Sequence, residues 1–352
     1  MYTPNVNNKS KFLTTPDTPL SLGLLPAFVQ IIYPSPVQEK CSPDQLNHEP
    51  VMLAECLQFL NLKPGSVVVD CNLGLGGHSS HILKAIGPTG MLYAFDLDER
   101  NIVVAKERLS KIGDNFRIFH DSFASLKDRL RREGVSQVNA ILFDLGLSSP
   151  HIDDPERGFS FLKDGPLDMR FDATSGPTAA DLLRTTPEKE LADIFFKYGE
   201  ERASRKLAKA IVMDRQTRTF TRTKEFADYV VKVLGRGKPG KHRATLIFQA
   251  LRIAVNEELS ALELGLDQAV ECLAPHGRVV VLSYHSLEDR ITKHIFKAKS
   301  TDLRDPDDPF GSRVLVSKTL SLPSKKPIKA SAEEVSTNPR ARSALLRVAE
   351  KL

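Results

Sequence analysis

Apolar and polar positions divide the chain into two regimes. Between residues 67 and 144 short apolar runs alternate with amphipathic stretches, whereas residues 152–245 offer no run that reads as a strand. In the first regime VVVD (67–70), MLYAFD (91–96), the alternating segment 115–120 and VNAILFD (138–144) are predicted strands. Ile82, Leu83 and Ile86, then Ile102, Ala105, Leu109 and Ile112, recur at helical spacing, so helices follow the first two strands. A further helix, carrying Val51, Leu53, Leu57 and Leu60, precedes the first strand, and a short basic helix is predicted over 125–133. The nearly continuous apolar run 138–144 is that of a central parallel strand covered on both faces. This alternation predicts an α/β fold, a Rossmann-like, parallel-rich, doubly wound sheet.

The second regime reads as all-helical, with helices over 178–184, 187–198, 200–215 and 223–234 and a capping box formed by Thr185 and Glu188. A basic glycine-rich loop, 235–243, closes it. The first pattern then resumes with one long helix over 246–273, a buried strand over 278–283, and a final segment, SALLRVAEKL, that supplies either a last strand or a closing helix. Residues 300–339 are polar and read as loop. The predicted organisation is an α/β sheet domain from 46–151 and 246–352, an inserted all-helical block over 152–245, and a poorly ordered extension over 1–45.

Composition narrows the function classes. The 352 residues are 41% hydrophobic and 26% charged, as in a soluble globular protein. A net charge of +5 is compatible with an anionic partner. Cys41, Cys56, Cys71 and Cys272 show no CxxC spacing, which argues against zinc and disulfide frameworks and for a reducing compartment. No apolar run approaches the length of a bilayer span. The first 45 residues lack arginine and a cleavage-site pattern, so cytoplasm is expected, with a mitochondrion or plastid as the alternative.

Candidate chemistry gathers where predicted strands end. The first strand runs into a turn holding Gly74, Gly76 and Gly77, and the second ends in Asp96, placed to hydrogen-bond a cofactor ribose. Ligands of doubly wound sheets bind beyond the carboxyl ends of the strands, so the loop DLGLSSPH (144–151) faces the same space. Phe123 is either a stacking partner for an adenine ring or a core aromatic. His285 with Glu288 or Asp289 is either an acid/base pair or a local hydrogen-bonding group. His78 and His81 have no accompanying ligand pattern, and no metal is expected. Arg157, Lys163, Arg170 and Arg205, with the basic loop, form a candidate phosphate-contacting surface, the alternative being internal ion pairs.

At this point the chain resembles the MraW family of ribosomal RNA small-subunit methyltransferases (methyltransferase H). The matching segments include HEPVM (48–52), LGLGGHS (73–79), DLGLSSP (144–150), RGFSF (157–161), DGPLDMRFD (164–172), YGEE (198–201), FQALRI (248–253), VNEEL (255–259), HSLEDR (285–290) and NPRARSALLR (338–347). The resemblance implies S-adenosylmethionine as methyl donor and a cytidine N4 amine in the decoding region of 16S-type RNA, within the small ribosomal subunit, as acceptor. It implies a donor site at Gly76, Gly77, His78, Asp96, Phe123 and Asp144, with His151 where the family commonly has Gln. Tyr284 stands where Phe is usual, and Asn72 where Thr is usual. Asp144 is the candidate catalytic residue, as acceptor for the protons of the amine; its alternative role is donor binding alone. Two rival readings are a nicotinamide-dependent oxidoreductase, opposed by GLGG in place of GxGxxG, and a non-catalytic ribosome assembly factor on the same fold.

Overall fold

The computed structural model describes residues 50–237, 242–308 and 312–352. The extension 1–45, His48, Glu49 and the middle of the basic loop lie outside these. Five parallel strands form the centre: β1 (Val67–Asp70), β2 (Met91–Asp96), β3 (Phe116–His120), β4 (Val138–Asp144) and β5 (Leu273–Ser283). Their order is β3-β2-β1-β4-β5, so the chain winds outward from β1 in one direction and then in the other. The reversal falls between β1 and β4, where Val68 pairs with Ala140 and Asp70 with Leu142. At such a reversal the loops leave in opposite directions and open a crevice.

The last segment is a strand. Leu345–Lys351 runs antiparallel to β5, pairing Leu346 with Leu282 and Val348 with Val280. Short strands at Leu320–Ser321 and Ile328–Lys329 pair with it in turn. The stretch 300–339 therefore contains sheet edge and the helix Ala332–Thr337, where the sequence suggested only loop. Two-residue strands carry too little periodicity to be seen in sequence.

Successive strand residues point to opposite faces, and each face has its own core. Val68, Leu92, Leu142 and Val280 pack with Cys56, Leu83 and Leu109 from the helices Leu53–Leu60, Gly77–Ile86 and Glu99–Ser110. Val69, Phe95, Ile141, Phe143 and Val281 pack on the other face with Leu130, Leu266 and Phe296, from Leu126–Arg132, Glu258–Cys272 and Ser286–Lys299.

A third core lies among the helices Ala179–Thr185, Glu188–Lys197, Ser204–Asp214, Thr223–Leu234 and Ala244–Val255, built on Leu183, Phe195, Ile211, Phe226 and Phe248. Fully burying side chains of this size contributes roughly 1.5–3 kcal/mol each. Two local expectations fail here. The capping box is Thr178 with Asp181, not Thr185 with Glu188; the Thr185 hydroxyl donates to the Asp181 carbonyl within the preceding helix. The predicted helix 246–273 is two helices, Ala244–Val255 and Glu258–Cys272, broken where Glu257 turns left-handed at φ 50°. The first of the two packs into the third core, so its apolar positions belong with the helical block. No helix among the described residues is long and apolar enough to cross a membrane.

Candidate active site

The carboxyl ends of the central strands open into a cleft of about 400 Å³, within the range of small-molecule sites. One wall is the loop after β1. Cys71 N–H donates to Leu142 O at 2.8 Å and Leu73 N–H to Phe95 O at 2.8 Å, so the loop leaves the sheet bonded to both neighbouring strands. Gly74 and Gly76 then take left-handed backbone, φ 51° and 76°, a conformation that a Cβ opposes. Gly77 is glycine for a different reason: a Cβ there would meet Pro50 Cγ at 2.7 Å.

Asp96, at the tip of β2, shapes this loop directly. Its Oδ2 accepts from Gly74 N–H at 2.7 Å and its Oδ1 from Asp98 N–H at 2.8 Å. Burial pushes its carboxyl up to about 7, with both backbone donors working against the shift. A carboxylate offers about four lone-pair positions, so capacity remains for a ligand hydroxyl.

Asp144 ends β4 on the opposite wall. The Tyr284 hydroxyl donates to its Oδ1 at 2.7 Å, and His78 Nε2 lies 3.6 Å from its Oδ2. Burial pushes Asp144 up to about 6; the Tyr284 hydrogen bond opposes the shift and the Glu288 charge adds to it. Burial likewise pushes His78 down to about 4 against the pull of Asp70, so its imidazole is neutral at pH 7. Neither ring nitrogen of His78 makes a hydrogen bond, and Asn72 Oδ1 and Asn101 Oδ1 are buried without partners too. All three residues line the cleft. Unsatisfied buried polar atoms are costly, and three residues that carry them around one cleft mark where a polar ligand would be held.

Phe123 lies in the turn after β3, edge-on to Phe143 with ring centroids 5.4 Å apart. A Cβ on Gly265 would meet its ring at 2.7 Å. Phe123 thus packs against the core and also lines the cleft.

His151 also lines the cleft, but its nitrogens are engaged. Nδ1 is 2.9 Å from Ser148 Oγ and Nε2 is 3.0 Å from Asp98 Oδ2, while the ring packs against Phe159 and Phe171. Arg157 completes the group: it hydrogen-bonds Asp98 and donates to the carbonyls of Arg170 at 2.8 Å and Phe171 at 2.9 Å. Burial alone would raise Asp98, yet His151 and Arg157 together hold it well below the usual carboxylate range. Deeper in the cleft Arg252 makes a two-point pair with Glu258, 2.8 and 2.9 Å. Asn256 holds the helix break there, accepting from Phe171 N–H at 2.7 Å and donating to Met169 O at 2.8 Å.

The family model described as the MraW methylase family matches residues 45–352. The chain belongs to the MraW methylase family. Curated relatives agree along nearly their whole length. The ribosomal RNA small subunit methyltransferase H of Dictyoglomus thermophilum is 46% identical over 86% of this chain and 96% of its own. The proteins of the same name from Carboxydothermus hydrogenoformans and Herminiimonas arsenicoxydans are each 45% identical, covering 88% of this chain and 99% and 96% of theirs. Likeness to solved structures is weaker, a rRNA-methylase fold from Clostridium thermocellum reaching a TM-score of 0.42 at 12% identity, so membership rests on sequence.

Of the donor-site residues expected in this MraW chain, Gly77, His78, Asp96, Phe123, Asp144 and His151 line the cleft. Gly76 does not; it supplies the left-handed turn that starts the helix Gly77–Ile86. The RNA-surface candidates divide. Arg157 is 5% exposed with its guanidinium committed to Asp98 and two carbonyls, so it is withdrawn as a phosphate contact. Arg170 is clamped to Asp168 at 2.8 Å through two nitrogens, so its charge is matched internally. Lys163 and Arg205 are exposed. His285 caps the helix Ser286–Lys299 in a box with Glu288, the local hydrogen-bonding role. Sequence reasoning missed Asn101, Asn256 and Arg340 as lining residues. Asn256 and Arg340 had a legible signal, since they fall in the matching segments VNEEL and NPRARSALLR; Asn101 had none.

Proposed function

We propose that this chain transfers a methyl group from S-adenosylmethionine to the N4 amine of a cytidine in the decoding region of small-subunit ribosomal RNA. Family membership and the relatives' names support the methyl transfer and the class of RNA. The observation that carries the finer reading is Asp144, a half-buried carboxylate at the strand tips that lines the cleft and has one oxygen tied to Tyr284.

Asp96 would accept from the ribose hydroxyls of the donor, Phe123 would meet its adenine, and Gly77 and His78 would flank the rest. The orphaned atoms of His78, Asn72 and Asn101 fit such a polar guest. When bound, the donor supplies a methyl on a positively charged sulfur. The N4 lone pair of cytosine is delocalised into its ring, so the amine is a weak nucleophile. Asp144, by accepting a hydrogen bond from that amine, favours a pyramidal nitrogen and holds it in line for attack. As the new N–C bond forms, the electron pair of the broken C–S bond stays on sulfur, and the surplus N4 proton passes to Asp144 and on to solvent.

The target base has to leave its stack to reach such a cleft. The helical block 152–245, through Lys163, Arg205 and the basic loop, would hold the flanking backbone. The reaction then takes place where small subunits are found, in the cytoplasm of a bacterial cell. Incubation with methyl-labelled donor and small subunits, followed by mass mapping of cytidines, tests the reading. It predicts one N4-methylated cytidine; label elsewhere, or none, refutes it. Equilibrium dialysis against S-adenosylmethionine and NAD separates it from the oxidoreductase rival.

A further inference from the structure

Tyr284 touches Asp144, yet the mechanism above uses only its partner. The residue follows β5 directly, and it is held at several points. Its backbone N–H donates to Glu288 Oε2 at 2.8 Å, and its ring lies so close to the loop after β4 that a Cβ on Gly146 would meet Cε2 at 2.8 Å. Its hydroxyl donates to Asp144 Oδ1 at 2.7 Å. A phenol pinned in this way fixes the carboxylate plane, because turning Asp144 about its terminal bond would break a part-buried hydrogen bond.

The other oxygen is treated differently. Asp144 Oδ2 sits 3.6 Å from His78 Nε2, beyond hydrogen-bond length. The two oxygens are therefore unequal: Oδ1 is held by a side-chain hydrogen bond and Oδ2 by none. We propose that Tyr284 is a positioning residue for methyl transfer, its hydroxyl locking Asp144 so that Oδ2 is the oxygen offered to the acceptor amine. The proposal rests on the role given to Asp144 above.

Tyr284 itself loses no proton: burial and the Asp144 charge push its phenol well above the ordinary tyrosine value. The other groups facing Asp144 are Cys56 on the helix Leu53–Leu60, Asp70 on β1, His78 on the next helix and Glu288 on the helix Ser286–Lys299. Of these, Glu288 and Asp70 disfavour a charged Asp144, a neutral His78 does little, and Cys56 stays a thiol. The Tyr284 hydroxyl is the side-chain hydrogen bond that favours the charged form.

The test is Tyr284→Phe, which keeps the ring and removes the oxygen. Carbon-13 NMR of the aspartate carboxyls, with Asp144 assigned by its loss in Asp144→Asn, reads the contact without any turnover. The Asp144 midpoint should rise by about one pH unit. With small subunits as substrate, kcat near pH 6 should fall about fivefold, approaching about tenfold at lower pH, and recover at higher pH, while KM for the donor stays within about twofold. The acidic limb of the rate profile should move by the same amount as the NMR midpoint. An unmoved midpoint or an unmoved limb overturns the proposal. Were the wild-type chain to methylate no cytidine, the assigned function would fall, and the NMR arm would still decide whether Tyr284 governs Asp144.

Discussion

Asp96 reaches back 22 residues to hold the amide of Gly74 at 2.7 Å. The acid at the end of the second strand is thus part of the loop after the first, as well as a candidate ligand contact. Replacing it removes both functions together. Asp96→Ala should weaken S-adenosylmethionine binding by at least about tenfold, the loss of one hydrogen bond to an ionisable group, and should lower thermal stability. Calorimetric titration with the donor and a melting curve on the same sample check the pair of effects. Weakened binding without a fall in melting temperature would mean the loop holds its shape unaided.

Asp98, His151 and Arg157 are each about 5% exposed, and His151 and Arg157 both bond to Asp98. Removing one member leaves the others' charge or polarity buried. Asp98→Ala should cost roughly 3–5 kcal/mol, as for a broken buried ion pair, measured by denaturant unfolding at pH 7. The double variant Asp98→Ala, Arg157→Ala should cost less than the sum of the singles.

The same group sets an acid limit. Asp98 is held below its unfolded value, so the folded chain binds fewer protons than the unfolded one across that interval. Its stabilisation is complete above the unfolded carboxylate value of about 4 and is lost as pH falls from there toward the depressed folded value. Wild-type stability should therefore drop steeply below about pH 4, and Asp98→Ala should show a flatter acid dependence.

Asp144, raised to about 6, works in the other direction. Only its ionised form can take a proton from the acceptor amine, so turnover should fall about tenfold per pH unit below the midpoint. Asp144→Asn should abolish methylation while retaining donor binding if the proton-accepting role is right. Turnover near the wild-type rate in that variant would remove Asp144 from the chemistry.

Lys163 and Arg205 are the exposed members of the proposed RNA surface. Lys163→Ala and Arg205→Ala should each weaken small-subunit RNA binding and lower the slope of log affinity against log salt by about one, with donor binding unchanged. Arg170→Ala, by contrast, frees Asp168 and should register in stability first.

Much of the fold was legible because its signals are local. The runs 67–70, 91–96 and 138–144 are strands within the same bounds, since β-branched and aromatic runs ending at turns leave few alternatives. The tail was not legible, because strands of two residues draw their stability from a partner strand rather than from their own pattern. The break at Asn256–Glu257 was hidden for a related reason: it is paid for by Phe171 and Met169, about 85 residues upstream. In the cleft the acids and glycines stood out from spacing. Arg157 misled, because glycines interleaved with charges and aromatics in 157–170 read as a nucleotide-contacting loop, and only the fold brings Asp98 to it.

The helical block keeps its own interior, with Phe195, Phe226 and Phe248 sharing no buried neighbourhood with either face of the sheet. Sequence change in one interior is thereby insulated from the other, since distant sites add independently. A chimera exchanging only the residues of this helical interior between two relatives, while keeping Arg157, Met169 and Phe171, which bond to Asp98 and Asn256, should fold with its donor affinity intact.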